Sequence, residues 1–198
     1  MASAVLGEAP ASVAVRPTDH DVLYEIVNGL PVELPPMSVY ATWIASRLHT
    51  CLDVYAAERA LGTVVSEMLF VLDGERDVRR RPDVAFVSVE RWPWDRELPE
   101  SGDWDVVPEL AVEVVSPADE FSDVVAKVRQ YFHYGVRLVW VIVPEERQVY
   151  VYDSPSRVRI IDTADTLTGG DLLPGLVVSV GSLFERSAEQ KLPETTGP

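Results

Sequence analysis

Two apolar runs constrain this chain more than any other feature: "ELAVEVV" at 109–115 and "RLVWVIV" at 137–143. Each is short enough to be a strand and continuous enough to be covered on both faces. Between them Phe121, Val124, Val125, Val128 and Phe132 recur at helical spacing, which predicts a helix over residues 118–134. Ser116 and Pro117 offer a helix entry, and Gly135 a stop. Strand, helix and strand in that order make a crossover, so the two runs are expected side by side and parallel.

The first run carries an anomaly. Glu113 sits inside it, and an unpaired buried carboxylate is costly. It calls for a cation, a hydrogen-bond donor or a raised pKa. Two other polar residues fall close to this apolar centre. Asp83 opens a strand after Pro82, and Lys127 lies in the helix. Asp123, Lys127 and Tyr131 are spaced by four and so form a stripe on one flank of the apolar face, where Lys127 can point toward the sheet. From the residues alone, the competing reading is a buried ion pair with Asp123–Lys127 as an ordinary helix pair.

The rest of the chain supplies more sheet. "YEIVNGLPVEL" (24–34) reads as a hairpin with an Asn28-Gly29 turn. Residues 39–60 read as a helix stopped by Gly62. Residues 63–72 and 80–89 read as two strands joined through an Asp73-Gly74 turn. Residues 148–153 and 158–162 add strands, and "LLPGLVVSVGSLFER" closes with a short strand and a helical turn. The expected class is α/β, a mixed sheet flanked by helices, in one domain over 16–186 with loose tails at 1–15 and 187–198. The polar loop 91–105 carries Trp92, Trp94 and Trp104, which are expected to fold back on the domain rather than form a partner or nucleobase platform.

Net charge is −15, which argues against strong unaided binding to nucleic acid. The basic cluster Arg79–Arg81 is the one local exception, open both as a contact patch and as a solvated strand entry. No apolar run reaches the ~20 residues of a membrane span, and the N-terminal residues lack signal-peptide character. A single cysteine, Cys51, allows no internal disulfide. A cytoplasmic location is expected. Two carboxylates and a lysine suit metal-assisted phosphodiester hydrolysis, because Mg²⁺ takes hard oxygen ligands and leaves room for water and phosphate.

"RPDVAFV", "PELAVEVVSP" and "DVVAKVRQYFHYGVRLVWVIVPEERQVYVY", in that order, resemble the PD-(D/E)XK nuclease superfamily. More narrowly they resemble the Uma-two family, described as putative restriction endonucleases. The matching pattern is Pro82-Asp83, Glu113-Val114-Val115-Ser116, Asp123-xxx-Lys127-xxx-Tyr131, Gly135 and the strand around Trp140, and the likeness runs over 16–186. The resemblance implies a restriction-endonuclease-like core and a metal-dependent DNA endonuclease. Asp83 and Glu113 would ligate Mg²⁺ or Mn²⁺, with the Val114 carbonyl as a third ligand. The superfamily's lysine position is occupied here by Val115, so its role passes to Lys127. Glu25, in the N-terminal hairpin, is a further acidic candidate. Cleavage of both strands would call for a homodimer, and the acidic surface for a basic partner or a recognition subunit. The alternative is a non-catalytic binding module that keeps the nuclease fold.

Overall fold

The computed structural model describes residues 22–186, apart from 101 and 118. The expected tails lie outside the described residues. A six-stranded mixed sheet forms the centre. Its strands are β3 (Gly62–Ser66), β6 (Val84–Ser88), β7 (Leu110–Val114), β8 (Leu138–Val143), β9 (Gln148–Ser154) and β10 (Arg157–Ile161), in the order β10-β9-β8-β7-β6-β3. Strands β7 and β8 are parallel and every other pair is antiparallel, as the crossover requires.

Helix α1 (Val39–Glu58) covers one face. Ser38 caps it, its hydroxyl accepting from the Ala41 N–H at 3.1 Å. Ile44, Leu48 and Leu52 pack there against Leu110, Val112 and Val114 of β7 and Trp140 of β8. Helix α2 (Phe121–His133) covers the other face over Ala111, Val139 and Val141. Strand alternation therefore puts Glu113 on the α2 side of the sheet. On the α1 side, β11 (Thr166–Gly169), β12 (Leu173–Ser179) and α3 (Val180–Phe184) contribute Leu167, Leu173 and Leu183 to the same core.

A second sheet, in the order β2-β1-β5-β4, contains the N-terminal hairpin β1 (Tyr24–Val27) and β2 (Leu30–Glu33). Asn28 and Gly29 take φ of 52° and 77°, so the expected turn forms. Its other strands, β4 (Phe70–Asp73) and β5 (Val78–Arg80), correct the expected strands 63–72 and 80–89. Neither is continuous. The first breaks at Glu67, where φ is 50°, and the second at Pro82, which has no N–H to give a ladder. The two breaks face each other: Ser66 pairs with Val84 in the large sheet, and Phe70 with Arg80 in the small one. One long hairpin thus bends from sheet to sheet, and Asp83 sits at the bend.

Other boundaries differ as well. Helix α2 starts at Phe121 after Glu120, not at a Ser116 cap; the Ser116 N–H instead donates to Asp119 Oδ2 at 2.7 Å. Phe121, counted in the apolar stripe, is exposed, and the buried positions of α2 are Val128 and Tyr131. Strand β11 was not expected. Gly62 opens β3 rather than ending α1, which stops at Glu58. A Cβ at Gly62 would collide with the Val87 carbonyl oxygen and lie 2.8 Å from the Phe86 ring. Gly62→Ala should therefore cost at least about 1–3 kcal/mol in urea unfolding, through forced displacement of β6.

Two of the loop tryptophans fold back. Trp104 stacks on Phe70 at 5.6 Å between centroids, Trp92 meets Trp104 edge-on at 5.3 Å, and both are buried, whereas Trp94 is exposed. The arginine cluster also turns inward. Arg79 pairs with Asp77 and Asp103, Arg80 with Glu25, and Arg81 donates to the Tyr24 and Glu67 carbonyls. Their partners lie in the four-stranded sheet, its turn, the bend and the 91–105 loop, and these contacts occupy guanidinium donors that a phosphate would need.

Candidate active site

Asp83, Glu113 and Lys127 come from three elements and line one pocket with Val114, Glu67 and Asp119. Asp83 arrives on the bend before β6. Its Oδ2 accepts the Val114 N–H at 2.6 Å, which locks the carboxyl against the end of β7. No hydrogen bond from the described residues reaches Oδ1. Burial, and then the charge of Glu113, push the Asp83 pKa up to about 8.

Glu113 resolves its anomaly through α2. Oε1 accepts the Tyr131 hydroxyl at 2.6 Å, and Oε2 lies 3.2 Å from Lys127 Nζ. Burial still raises its pKa, with Lys127 opposing. Lys127 is one helical turn from Tyr131, so both reach the same strand residue. Its ammonium also lies 3.5 Å from Glu25 Oε1. Burial disfavours that charge, but Glu113 and Glu25 outweigh it and raise the lysine pKa. At neutral pH Lys127 is therefore an ammonium, paired with two carboxylates of the sheets rather than with Asp123.

Glu25 is 1 % exposed and takes the Arg80 guanidinium at 2.6 Å and the Arg81 N–H at 3.0 Å. Tyr131 and Arg80 complete the network, and neither was assigned to the site from the sequence. The four-residue spacing from Lys127 signalled Tyr131; Arg80 carried no signal beyond its charge. Glu67 and Asp119, at the pocket wall, carry no signal in the sequence: Glu67 comes in at the bend that interrupts the expected strand 63–72, and Asp119 in the turn before α2.

Among the described residues no group of three or more His, Cys, Asp or Glu side chains is placed to hold a metal ion. Of the carboxylates lining the pocket, Asp83 and Glu113 are the pair expected as ligands, and Glu67 and Asp119 stand at its wall. Lysine itself is rare here: Lys127 and Lys191 are the only two in a chain that otherwise uses arginine.

Residues 13–181 match the profile of Uma2, described as "Putative restriction endonuclease". The chain belongs to the Uma2 family. A solved structure described as a putative nuclease belonging to DUF820, from Anabaena variabilis, is similar in fold. It is 18 % identical with a TM-score of 0.72, over 81 % of this chain and 89 % of that one. Among curated proteins none matches. The Uma2 match spans the bend, β7 and α2, so it includes every residue of the pocket. No helix among the described residues is long and apolar enough to cross a membrane.

A pH dependence follows from Asp83. Its folded pKa, about 8, lies above the ordinary 3.8, so the folded protein holds a proton that the unfolded chain releases. That contribution is fully present below pH 3.8 and is lost as pH rises through about 8. Metal-free protein should thus lose more stability between pH 5 and pH 8 than the Asp83→Asn variant does, as read by urea unfolding at the two pH values.

Proposed function

We propose that this Uma2 protein is a metal-dependent DNA endonuclease that hydrolyses phosphodiester bonds at the Asp83–Glu113–Lys127 pocket. One observation carries the reading: three residues distant in sequence converge on one pocket, where Glu113 is buried, Asp83 is half-buried and both carboxylates are raised in pKa. The charge of Glu113 raises the Asp83 pKa, and a divalent cation between the two carboxylates would offset that repulsion.

The donor set fits Mg²⁺ or Mn²⁺, which takes one or two carboxylates and fills its remaining positions with water and phosphate oxygens. Asp83 and Glu113 would hold the ion, with the Val114 carbonyl as third ligand. Bound there, it supplies Lewis-acid polarisation of the phosphoryl group and a more acidic water. The protein's residues do the rest. The Val114 N–H fixes Asp83 so that Oδ1 is left for the ion. Tyr131 fixes Glu113. Lys127 presents an ammonium to the charge that develops on the phosphoryl oxygens. Glu25 holds that ammonium in place and does not face the substrate.

The inward-turned arginines and the net charge of −15 point to weak intrinsic DNA affinity. A basic partner or recognition subunit would supply it, and a homodimer would place two sites on two strands. The binding-module alternative loses support, since two of its three tryptophans are buried in the core. Plasmid incubated with the protein and Mg²⁺ or Mn²⁺ should be nicked or linearised. Chelator, or Asp83→Ala, should leave it intact. Intact plasmid with the wild-type protein under every metal tested would remove the reading.

A further inference from the structure

We propose that Arg80 is a positioning residue for Lys127, acting through Glu25. This rests on Lys127 working at the site, and it extends the site into the four-stranded sheet. Arg80 lies on β5 and is 7 % exposed. One arm of its guanidinium, Nη1, donates to Glu25 Oε2 at 2.6 Å, and Nε donates to the Gln130 side chain of α2. The other oxygen of Glu25, Oε1, takes the Arg81 N–H at 3.0 Å and faces Lys127 Nζ at 3.5 Å. Lys127 completes the line on Glu113 Oε2 at 3.2 Å. Arginine, carboxylate, lysine and carboxylate thus alternate from the small sheet to the large one.

A lysine charge rides on a flexible four-carbon stem and stays only where its partners hold it. Here two carboxylates on different sheets hold it between them. Glu25 divides its charge between two cations, so it steadies Lys127 without drawing it off Glu113. Without Arg80, Glu25 is a buried carboxylate left with one cation, and Lys127 is pulled toward it. The planar guanidinium fork suits this task, because it ties β1 and α2 with separate nitrogens and a point-like ammonium cannot.

The test uses metal-free, DNA-free protein with its lysines labelled at Cε and Nζ for NMR. Lys127 and Lys191 are the only lysines, so the spectrum holds two side-chain signals and Lys191 is the internal control. Arg80→Met should move the Lys127 signal and leave that of Lys191 in place. Arg80→Lys, which keeps a cation toward Glu25 but loses the tie to α2 and adds a third lysine signal of its own, should bring the Lys127 signal part of the way back. In a Glu25→Gln background, Arg80→Met should have little further effect on the Lys127 signal, because the intermediate is gone. Should Arg80→Met not fold, Arg80→Gln keeps a donor toward Glu25 without the charge and must move the signal in the same way.

An unmoved Lys127 signal in a folded, neutral Arg80 variant overturns the proposal. So does an Arg80 effect of equal size in the Glu25→Gln background. In cleavage, Arg80→Met should lower kcat by about 10²-fold with KM unchanged, the mark of a misplaced group rather than lost binding. The two readings fail separately. Wild-type protein that cleaves nothing but shows the Lys127 shifts keeps the positioning role. An active enzyme with unmoved signals keeps the nuclease and loses this role.

Discussion

Asp83→Asn should abolish metal-dependent cleavage, with a fall of at least about 10³-fold, while the protein remains folded. The substitution keeps the shape of the side chain. Its amide oxygen can still accept the Val114 N–H that now meets Oδ2 at 2.6 Å. That orientation turns the amide nitrogen toward the pocket, where Oδ1 stands in the wild type. A donor with no negative charge then faces the ion, and one of two carboxylates is lost. Lewis-acid assistance is worth several kcal/mol, and about 4 kcal/mol corresponds to the predicted factor. Calorimetric titration with Mn²⁺ checks the first half: binding seen with the wild type should disappear. Urea unfolding checks the second. Asp83 is half-buried beside Glu113 with its pKa pushed up to about 8, so removing its charge relieves desolvation and repulsion at pH 8. A variant that binds Mn²⁺ and cleaves like the wild type would show that Asp83 is no ligand.

The strand–helix–strand unit was legible because its periods are unmixed. Strand β7 and strand β8 are continuous apolar runs, and between them the pattern of three and four belongs to a helix. Glu113 stood out for the same reason, as a charge where every neighbour was apolar. The direction of Lys127 followed from its spacing to Tyr131. The bend at Glu67 and Asp83 was not legible. Residues 63–72 and 80–89 carry strand-like composition throughout, and a chain that passes from one sheet to another keeps that composition. Only the positive φ at Glu67 and the missing N–H at Pro82 mark the place, and the first is a property of the fold, not of the residue. The role of Arg80 was hidden for a related reason. Its neighbours Arg79 and Arg81 made one cluster in sequence, yet alternation along β5 separates Arg79 from Arg80 and Arg81 lies past the end of the strand, so the three guanidinium groups meet different partners: Asp77 and Asp103, Glu25, and the Tyr24 and Glu67 carbonyls.

Lys127→Met should lower the cleavage rate by about 10²–10³-fold, and Lys127→Arg should recover most of that loss. The ammonium stands between Glu113 and Glu25 at 3.2 and 3.5 Å, and both carboxylates keep it protonated. A lysine held in that form has no lone pair with which to take a proton from water. Its contribution is the fixed positive charge, and removal of one preorganised donor from such a site costs about 2.7–4 kcal/mol. Arginine retains the charge and cannot act as a base at any working pH. Recovery in Lys127→Arg would therefore assign Lys127 to charge stabilisation, and an arginine variant as inactive as the methionine one would assign it to proton abstraction. The methionine variant should also be less stable at neutral pH. It leaves Glu113 with the Tyr131 hydroxyl alone and Glu25 with Arg80 and one backbone N–H, and breaking a buried pair costs about 3–5 kcal/mol. Kinetics at saturating substrate, corrected for the folded fraction at each temperature, separate the two effects. The rate loss should persist where both proteins are fully folded.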